Sequence, residues 1–351
     1  MLNQILEKFG INALNYQIEE FGAGLINSTW KISGEKNYIL QRINTDVFKL
    51  PEVIAENLSK LQSYLNAKYP DYLFVAPLAA LDGSSLVVNE DGIFRLFPFI
   101  DNSISINSVD SYKQAYEAAK QFGKFTFLLK DFDASLLGET IPAFHDLTLR
   151  YNEFENARLN TTAARAEQAK WAIDEISKHK DILSTYDELK NSGKLPIRVI
   201  HHDAKINNIL FDSDWSGICL IDLDTVMPGY FISDVGDMLR TYLSPASEDE
   251  TDLSKIVIDK HCFDAIYSGY LSEMGTELTA FEKEHFVYAG KFMIYMQAIR
   301  FLADYLSGDV YYYTSYAGQN LNRANNQLTL LNQLIKLEQK IQLTNHSSIK
   351  E

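Results

Sequence analysis

At 351 residues with 46% hydrophobic content, the chain can bury a sizeable core, enough for one large two-lobed unit or two closely packed domains. A formal net charge of −15 argues against nucleic acid or an anionic membrane as partner, because their phosphates would be repelled. Two cysteines, Cys219 and Cys262, leave no disulfide framework and point to a reducing cytoplasm, and neither a secretory signal nor the ~20-residue apolar run of a membrane span is expected.

The first hundred residues alternate. Tyr16 to Phe21 and Ser28 to Ile32 read as short strands with FGAG between them as a glycine turn, and NYILQRI (Asn37 to Ile43) reads as a third. Pro51 opens a helix with Val53, Leu58, Leu61 and Leu65 on one face. Ser85 to Val88 and Ile93 to Phe97 form two more strands joined by NEDG, a hairpin turn. Beyond Asp101 the pattern turns helical, with helices expected over Ser108 to Leu129, Phe144 to Asn160, Ala163 to His179, Asp252 to Glu273, Thr279 to Leu306 and Gly318 to Gln342. The polar tail that follows is expected to fray. One island interrupts the helices: Arg198 to Leu223 reads strand, turn, strand, turn, strand.

The chemistry concentrates in that island, which runs IHHDAKINNILFD, then GICLIDLDTVMPG, then SDVGD. An apolar strand (Val199, Ile200) delivers a polar loop from His201 to Asn208, and apolar residues resume at Ile209 to Phe211 and Ile218 to Leu223. Polar groups between buried strands cost free energy unless they bind something. Asp203, Asn208 and Asp222 offer two carboxylates and an amide oxygen, hard ligands of the kind Mg²⁺ selects. Mg²⁺ held by few protein oxygens completes its shell with substrate phosphates, so the set points to phosphoryl transfer. A pair of Asp- and Asn-rich turns without chemistry is the alternative.

His201-x-Asp203 followed by Asn208 resembles the catalytic loop H-x-D-x-x-x-x-N of protein-kinase-like enzymes, and Ile221-Asp222-Leu223-Asp224 stands where that fold carries D-F-G. The second histidine and the IDLD form are similar to the aminoglycoside phosphotransferase and choline kinase superfamily. HHDAKINNILFD, LIDLDTVMPG, FHD (Phe144 to Asp146) and RFLADYLSGDVYY (from Arg300) resemble the N-acetylhexosamine 1-kinase group. The resemblance implies an α+β, protein-kinase-like two-lobed fold. Residues 1–101 would form a small β-rich nucleotide-binding lobe with its hinge, and residues 102–351 a large, mainly helical catalytic and acceptor-binding lobe. It also implies ATP and Mg²⁺ as cofactors and a small-molecule alcohol or sugar as acceptor, with no obligate protein partner. Asp203 would be the catalytic base, and Lys205 would offset charge on the transferred phosphoryl. Asn208 and Asp222 would hold Mg²⁺, with Asp224 assisting. His201 and Asp234 read as structural, Asp234 bracing the loop from beneath.

Gly22 and Gly24 lie where backbone amides approach phosphates without Cβ obstruction, although an ordinary hairpin turn would look the same. The family pattern wants a lysine on the third strand, but NYILQRI has none, so Gln41 or Arg42 stands there. Strand alternation lets only one of them face the phosphates, and charge favours Arg42, paired with Glu56 on the next helix. RLFPFID is the expected hinge, with Phe97 and Phe99 at the nucleotide. On the acceptor side, Arg300 and Asp304 lie four residues apart on one helix face, with His145, Asp146, Arg150 and Tyr311 to Tyr313 as weaker candidates. The expected activity is phosphorylation of the anomeric hydroxyl of an N-acetylhexosamine. The alternatives are a kinase of another small alcohol on the same fold (choline, ethanolamine, homoserine, a methylthiopentose or an aminoglycoside) and a nucleotide-binding pseudokinase.

Overall fold

The alternating and most of the helical stretches of the sequence fall into different compact units. The computed structural model describes residues 2–22 and 26–348, with side chains through residue 341, and forms two compact units. The first unit takes the chain through Ser105 together with Leu128–Pro142 and Ile209–Pro228; the second takes Ile106–Phe127, Ala143–Asn208 and the chain from Gly229.

In the first unit, β1 (Gln17–Glu20), β2 (Ser28–Ser33), β3 (Tyr38–Arg42), β4 (Val87–Asn89) and β5 (Gly92–Pro98) form an antiparallel sheet in the order β1-β2-β3-β5-β4. Helix α1 (Leu2–Lys8) covers one face, where Ile5 and Leu6 share a buried cluster with Ile32, Leu40, Val87, Phe94 and Leu96. The register Thr29↔Gln41↔Arg95 then turns these three polar residues to the opposite face, and Lys31 and Phe97 with them. Helix α2 (Pro51–Lys68) starts on proline, whose missing N–H is harmless in a first turn, and buries Ile54, Leu58, Leu61, Leu65 and the polar Asn57. Later in the chain β6 (Ile209–Phe211) and β7 (Gly217–Leu220) pair as an antiparallel hairpin, tied to residue 104 by two backbone bonds between Ile104 and Phe211 of 2.8 Å and 2.9 Å.

The second unit is helical: α3 (Tyr112–Leu128), α4 (Leu147–Asn160), α5 (Ala163–Gln168), α6 (Lys170–Lys178), α7 (Asp181–Asn191), α8 (Phe231–Tyr242), α9 (Lys260–Met274), α10 (Ala280–Glu284), α11 (Phe286–Ser307) and α12 (Gln319–Ser348). Helix α11 is apolar around most of its circumference and is the hub, packing α4, α8 and α12. Its contact with α8 depends on Gly236, where an added Cβ would fall 2.4 Å from the Ala289 carbonyl oxygen. A short strand, Arg198–Ile200, enters the polar loop, and the Arg198 guanidinium is pinned by Glu282 at 2.9 Å. No helix among the described residues is long and apolar enough to cross a membrane.

The α+β, kinase-like architecture expected from the sequence is the one observed, with the island resolving into its three short strands. The single helix expected over Thr279 to Leu306 divides at His285, whose Nδ1 lies 2.7 Å from the Phe281 carbonyl and whose backbone leaves helical geometry. Helix α7 was not anticipated, and α8, expected only as a helix following SDVGD, begins earlier, at Phe231; its opening, FISDVGD, mixes Ser, Asp and Gly, all weak helix formers, into its apolar period.

Candidate active site

The loop that follows Ile200 is pinned along its backbone. Asp234, fully buried in α8, accepts the N–H of His201 at 2.8 Å and of His202 at 2.7 Å. His202 adopts φ 65°, a left-handed conformation that a non-glycine residue keeps only when its surroundings enforce it. Gly229 permits the packing, since a Cβ there would fall 2.5 Å from His202 Nε2. The Asp203 N–H donates to His201 Nδ1 at 3.3 Å, the Tyr242 hydroxyl donates to the Ala204 carbonyl at 2.6 Å, and Asn208 Nδ2 donates to the Asp203 carbonyl at 2.9 Å. Burial lifts the Asp234 carboxyl to about 6, over the lowering effect of His201 and the two N–H bonds.

This scaffold holds the Asp203 carboxylate between Lys205 Nζ at 2.8 Å and Asn208 Nδ2 at 2.9 Å. Burial pushes the carboxyl up, but Lys205, His201 and the Asn208 bond outweigh it and hold it below its ordinary value. Asp203 is therefore ionised at neutral pH, and Lys205, raised chiefly by Asp203, remains a cation. Three of the expected site residues, Asp203, Lys205 and Asn208, come together here. Behind them Arg240 joins Asp237 at 2.9 Å and Glu248 at 2.5 Å, a charged layer that sequence reasoning passed over although Asp237 and Arg240 have helical i,i+3 spacing.

Arg300 lies over two aromatic faces, 5.6 Å from the Phe144 centroid and 5.5 Å from that of Tyr312, and donates to Gln297 Oε1 at 3.2 Å. Phe144 stacks on His145 at 4.4 Å, and both rings approach His202, at 6.5 Å and 5.3 Å. One aromatic layer thus separates Arg300 from the residue before Asp203. Burial, then His202, Arg300, Arg240 and Arg150, drive the His145 imidazole well below its ordinary value, so it is neutral. Asp304 does not join this cluster as a ligand-facing group. Its carboxylate accepts the backbone N–H groups of Val310 at 2.9 Å, Tyr311 at 2.8 Å and Tyr312 at 2.9 Å, and the Asn320 amide at 2.9 Å, so it builds the loop that carries Tyr312. Asp146 caps α4 through the Leu149 N–H at 3.0 Å and pairs with Lys190 at 2.7 Å, a structural role.

In the first unit the expected cation on β3 is corrected. Arg42 is exposed on the α1-side face, its Nη2 3.5 Å from Ser28 Oγ, because the strand alternation that buries Leu40 turns Arg42 the same way. Gln41 faces the other side and donates to Thr29 Oγ1 at 3.3 Å. The buried cation there is Arg95 of β5, which donates to Gln41 Oε1 at 2.8 Å and 3.1 Å and pairs with both oxygens of Asp224, at 2.5 Å and 2.7 Å. Asp224 is consequently engaged by a guanidinium rather than open to a metal. Glu56 pairs with Lys60 on the surface at 3.7 Å. Its neighbour Asn57 is the inward residue, donating to the carbonyls of Gly138 at 2.8 Å and Val226 at 3.1 Å. Phe97 lies under Arg95 at 5.0 Å, and Phe99 meets Phe21 edge-on at 6.0 Å with Lys31 4.3 Å above it. Gly22 is exposed at φ 78°; Gly24 lies outside the described residues. Asp222 is exposed and left-handed at φ 57°, ahead of the single helical turn Leu223–Thr225.

No group of three or more His, Cys, Asp or Glu side chains among the described residues forms a metal cage. A divalent ion would therefore rely on one or two side chains and on substrate phosphates, as Mg²⁺ does. The donor chemistry of Asp222 fits, since it offers an exposed carboxylate.

A kinase-like α+β fold whose braced loop holds an ionised aspartate between a lysine and an asparagine defines a phosphotransferase. The model of the phosphotransferase enzyme family matches residues 17–256, and the chain belongs to that family as a small-molecule kinase. Several solved structures share the fold. The microcompartment-associated aminopropanol kinase superposes with a TM-score of 0.63 at 17% identity over 95% of this chain and 97% of its own. A choline kinase from Cryptosporidium parvum Iowa II gives 0.56 at 17% identity over 98% of each chain. The amicoumacin kinase solved with AMP-PNP, Ca²⁺ and Ami gives 0.60 at 14% identity over 93% of this chain and 92% of its own.

Proposed function

We propose that this kinase transfers the γ-phosphoryl group of ATP to the anomeric hydroxyl of an N-acetylhexosamine. The observation that carries the chemistry is the Asp203 carboxylate, kept ionised between Lys205 and Asn208 on a loop that Asp234 braces. Such a carboxylate accepts or orients the proton of an attacking hydroxyl, and the anomeric hydroxyl is more acidic than an ordinary alcohol, so a base of low pKa suffices. ATP with a divalent cation is supported by the amicoumacin kinase, which binds AMP-PNP and Ca²⁺. Asn208 and Asp222 are the donors we assign to Mg²⁺, which when bound neutralises phosphate charge. In this reading residues 1–101 supply the nucleotide lobe and hinge, and residues 102–351 the catalytic and acceptor lobe. Dependence on ATP, together with two buried free thiols, Cys219 and Cys262, fits a cytoplasmic home.

The acceptor reading rests on the strings HHDAKINN, IDLDTVMPG and RFLADYL and on the charge of Arg300. Arg300, lying over Phe144 and Tyr312 and bonded to the neutral Gln297, favours a neutral polyol over choline, ethanolamine or an aminoglycoside, whose ammonium groups it would repel. Arg300 would donate to sugar hydroxyls or the acetamide oxygen, and a site with such donors rejects analogues that leave them unpaired. ADP release measured with N-acetylglucosamine, N-acetylgalactosamine, choline, homoserine and an aminoglycoside tests the proposal. Turnover is expected with the two hexosamines; a faster rate with choline, homoserine or the aminoglycoside would remove the sugar assignment, and nucleotide binding with no turnover on any acceptor would favour a pseudokinase.

A further inference from the structure

On the face that Gln41 shares, the third strand carries no cation, and one is buried beside it. We infer that Arg95 on β5 is a positioning residue that stands in for a strand lysine, acting through Asp224 to hold the Asp222 turn in the shape that presents its carboxylate to a metal-bound nucleotide. The inference rests on the ATP and Mg²⁺ reading above, and the observations behind it all lie within the first unit. Arg95 is 1% exposed, and a buried guanidinium persists only when its charge and donors are matched. Both oxygens of Asp224 and the amide oxygen of Gln41 match them, in a fork that a point charge would not fill. Gln41 occupies the strand position where the family pattern calls for the cation; being neutral, it aims Arg95 at Asp224. Asn27 adds a donor to Asp224 Oδ2 at 2.9 Å, and Asn57 of α2 holds the Val226 carbonyl at 3.1 Å. The turn is thus fastened at Asp224 and Val226, and just ahead of those anchors Asp222 keeps a left-handed backbone at φ 57°. A non-glycine residue stays in that conformation only where its surroundings over-determine it.

Calorimetric titration of ADP with and without Mg²⁺, with melting temperatures recorded on the same samples, tests the inference. Arg95→Met leaves Asp224 charged and buried without its partner, so the double variant Arg95→Met/Asp224→Asn, which removes that charge too, is measured beside it. Arg95→Met is expected to weaken Mg·ADP binding by about 10- to 100-fold, the range for losing a residue that orients a ligand group, while metal-free ADP binding changes by less than about 3-fold. The double variant is expected to recover the melting temperature but not the Mg²⁺ dependence, and Arg95→Lys to fall between parent and Arg95→Met. Recovery of both properties in the double variant would reduce Arg95 to a counter-charge and overturn the inference, as would unchanged Mg²⁺ dependence in Arg95→Met. A parent protein that fails to bind Mg·ADP would instead overturn the reading beneath it, so the two failures are distinguishable.

Discussion

Asp203 lies on the catalytic loop and Asp234 in the helix that braces it, and their environments push the two carboxyls apart. Asp203, with Lys205 at 2.8 Å, is depressed, so the stability it contributes is present above the ordinary carboxylate value and is lost as pH falls through its folded value. Asp234 is raised to about 6 by burial, so the fold resists its ionisation and stability declines as pH rises from the ordinary 3.8 to about 6. Replacing Asp203 with Asn is expected to lower kcat by about 10²- to 10⁴-fold while Mg·ATP still binds, because the lost group acts on the acceptor; activity within a few-fold of the parent would relieve Asp203 of its role. The rate should also show an acid limb near pH 6, set by Asp234, whose protonation loosens the two N–H bonds that shape the loop. Asp234→Asn, which cannot titrate, should lose that limb; a pH–kcat profile in which it persists would assign it to another group. Individual residues were legible where a motif placed them, as for Asp203, Lys205 and Asn208. Arg42 was chosen over Gln41 on charge, and the choice failed because the buried cation of that face is Arg95, the partner of Gln41 on the neighbouring strand β5, a pairing that periodicity does not reveal.

Among the elements, α8 bears the greatest load, carrying Asp234 under the loop, Asp237 and Arg240 beside Lys205, and Gly236 against α11. An alanine at Gly236 would place its Cβ 2.4 Å from the Ala289 carbonyl oxygen and 2.8 Å from Met293 Cβ. The helices must separate, and Gly236→Ala is expected to destabilise the protein by about 1–3 kcal/mol in denaturant unfolding. An unchanged midpoint would mean that the α8–α11 contact is looser than drawn. The long apolar helices and the short strands of the island could be read from their periods, because burial dictates the pattern. The first turns of helix α8 were missed because their polar residues break that pattern, and Glu56 was preferred to Asn57 because a carboxylate attracts attention where a buried amide in fact does the joining.

At the scale of the whole molecule, the fold class followed from one motif, since a catalytic loop and a metal loop on paired short strands belong to few architectures. The membership of the two compact units did not follow, because Leu128–Pro142 and Ile209–Pro228 join the first unit through contacts distant in sequence, such as Asn57 with Gly138 and Ile104 with Phe211. The cluster we propose for the acceptor is likewise assembled from distant parts: Phe144, His145, His202, Arg300 and Tyr312 come from four separate stretches of chain. Phosphorus NMR of the product formed from ATP, Mg²⁺ and N-acetylglucosamine tests the central claim most directly. The account predicts a sugar 1-phosphate accumulating in step with ADP, and none with Asp203→Asn; phosphate at another hydroxyl, or inorganic phosphate alone, would contradict it.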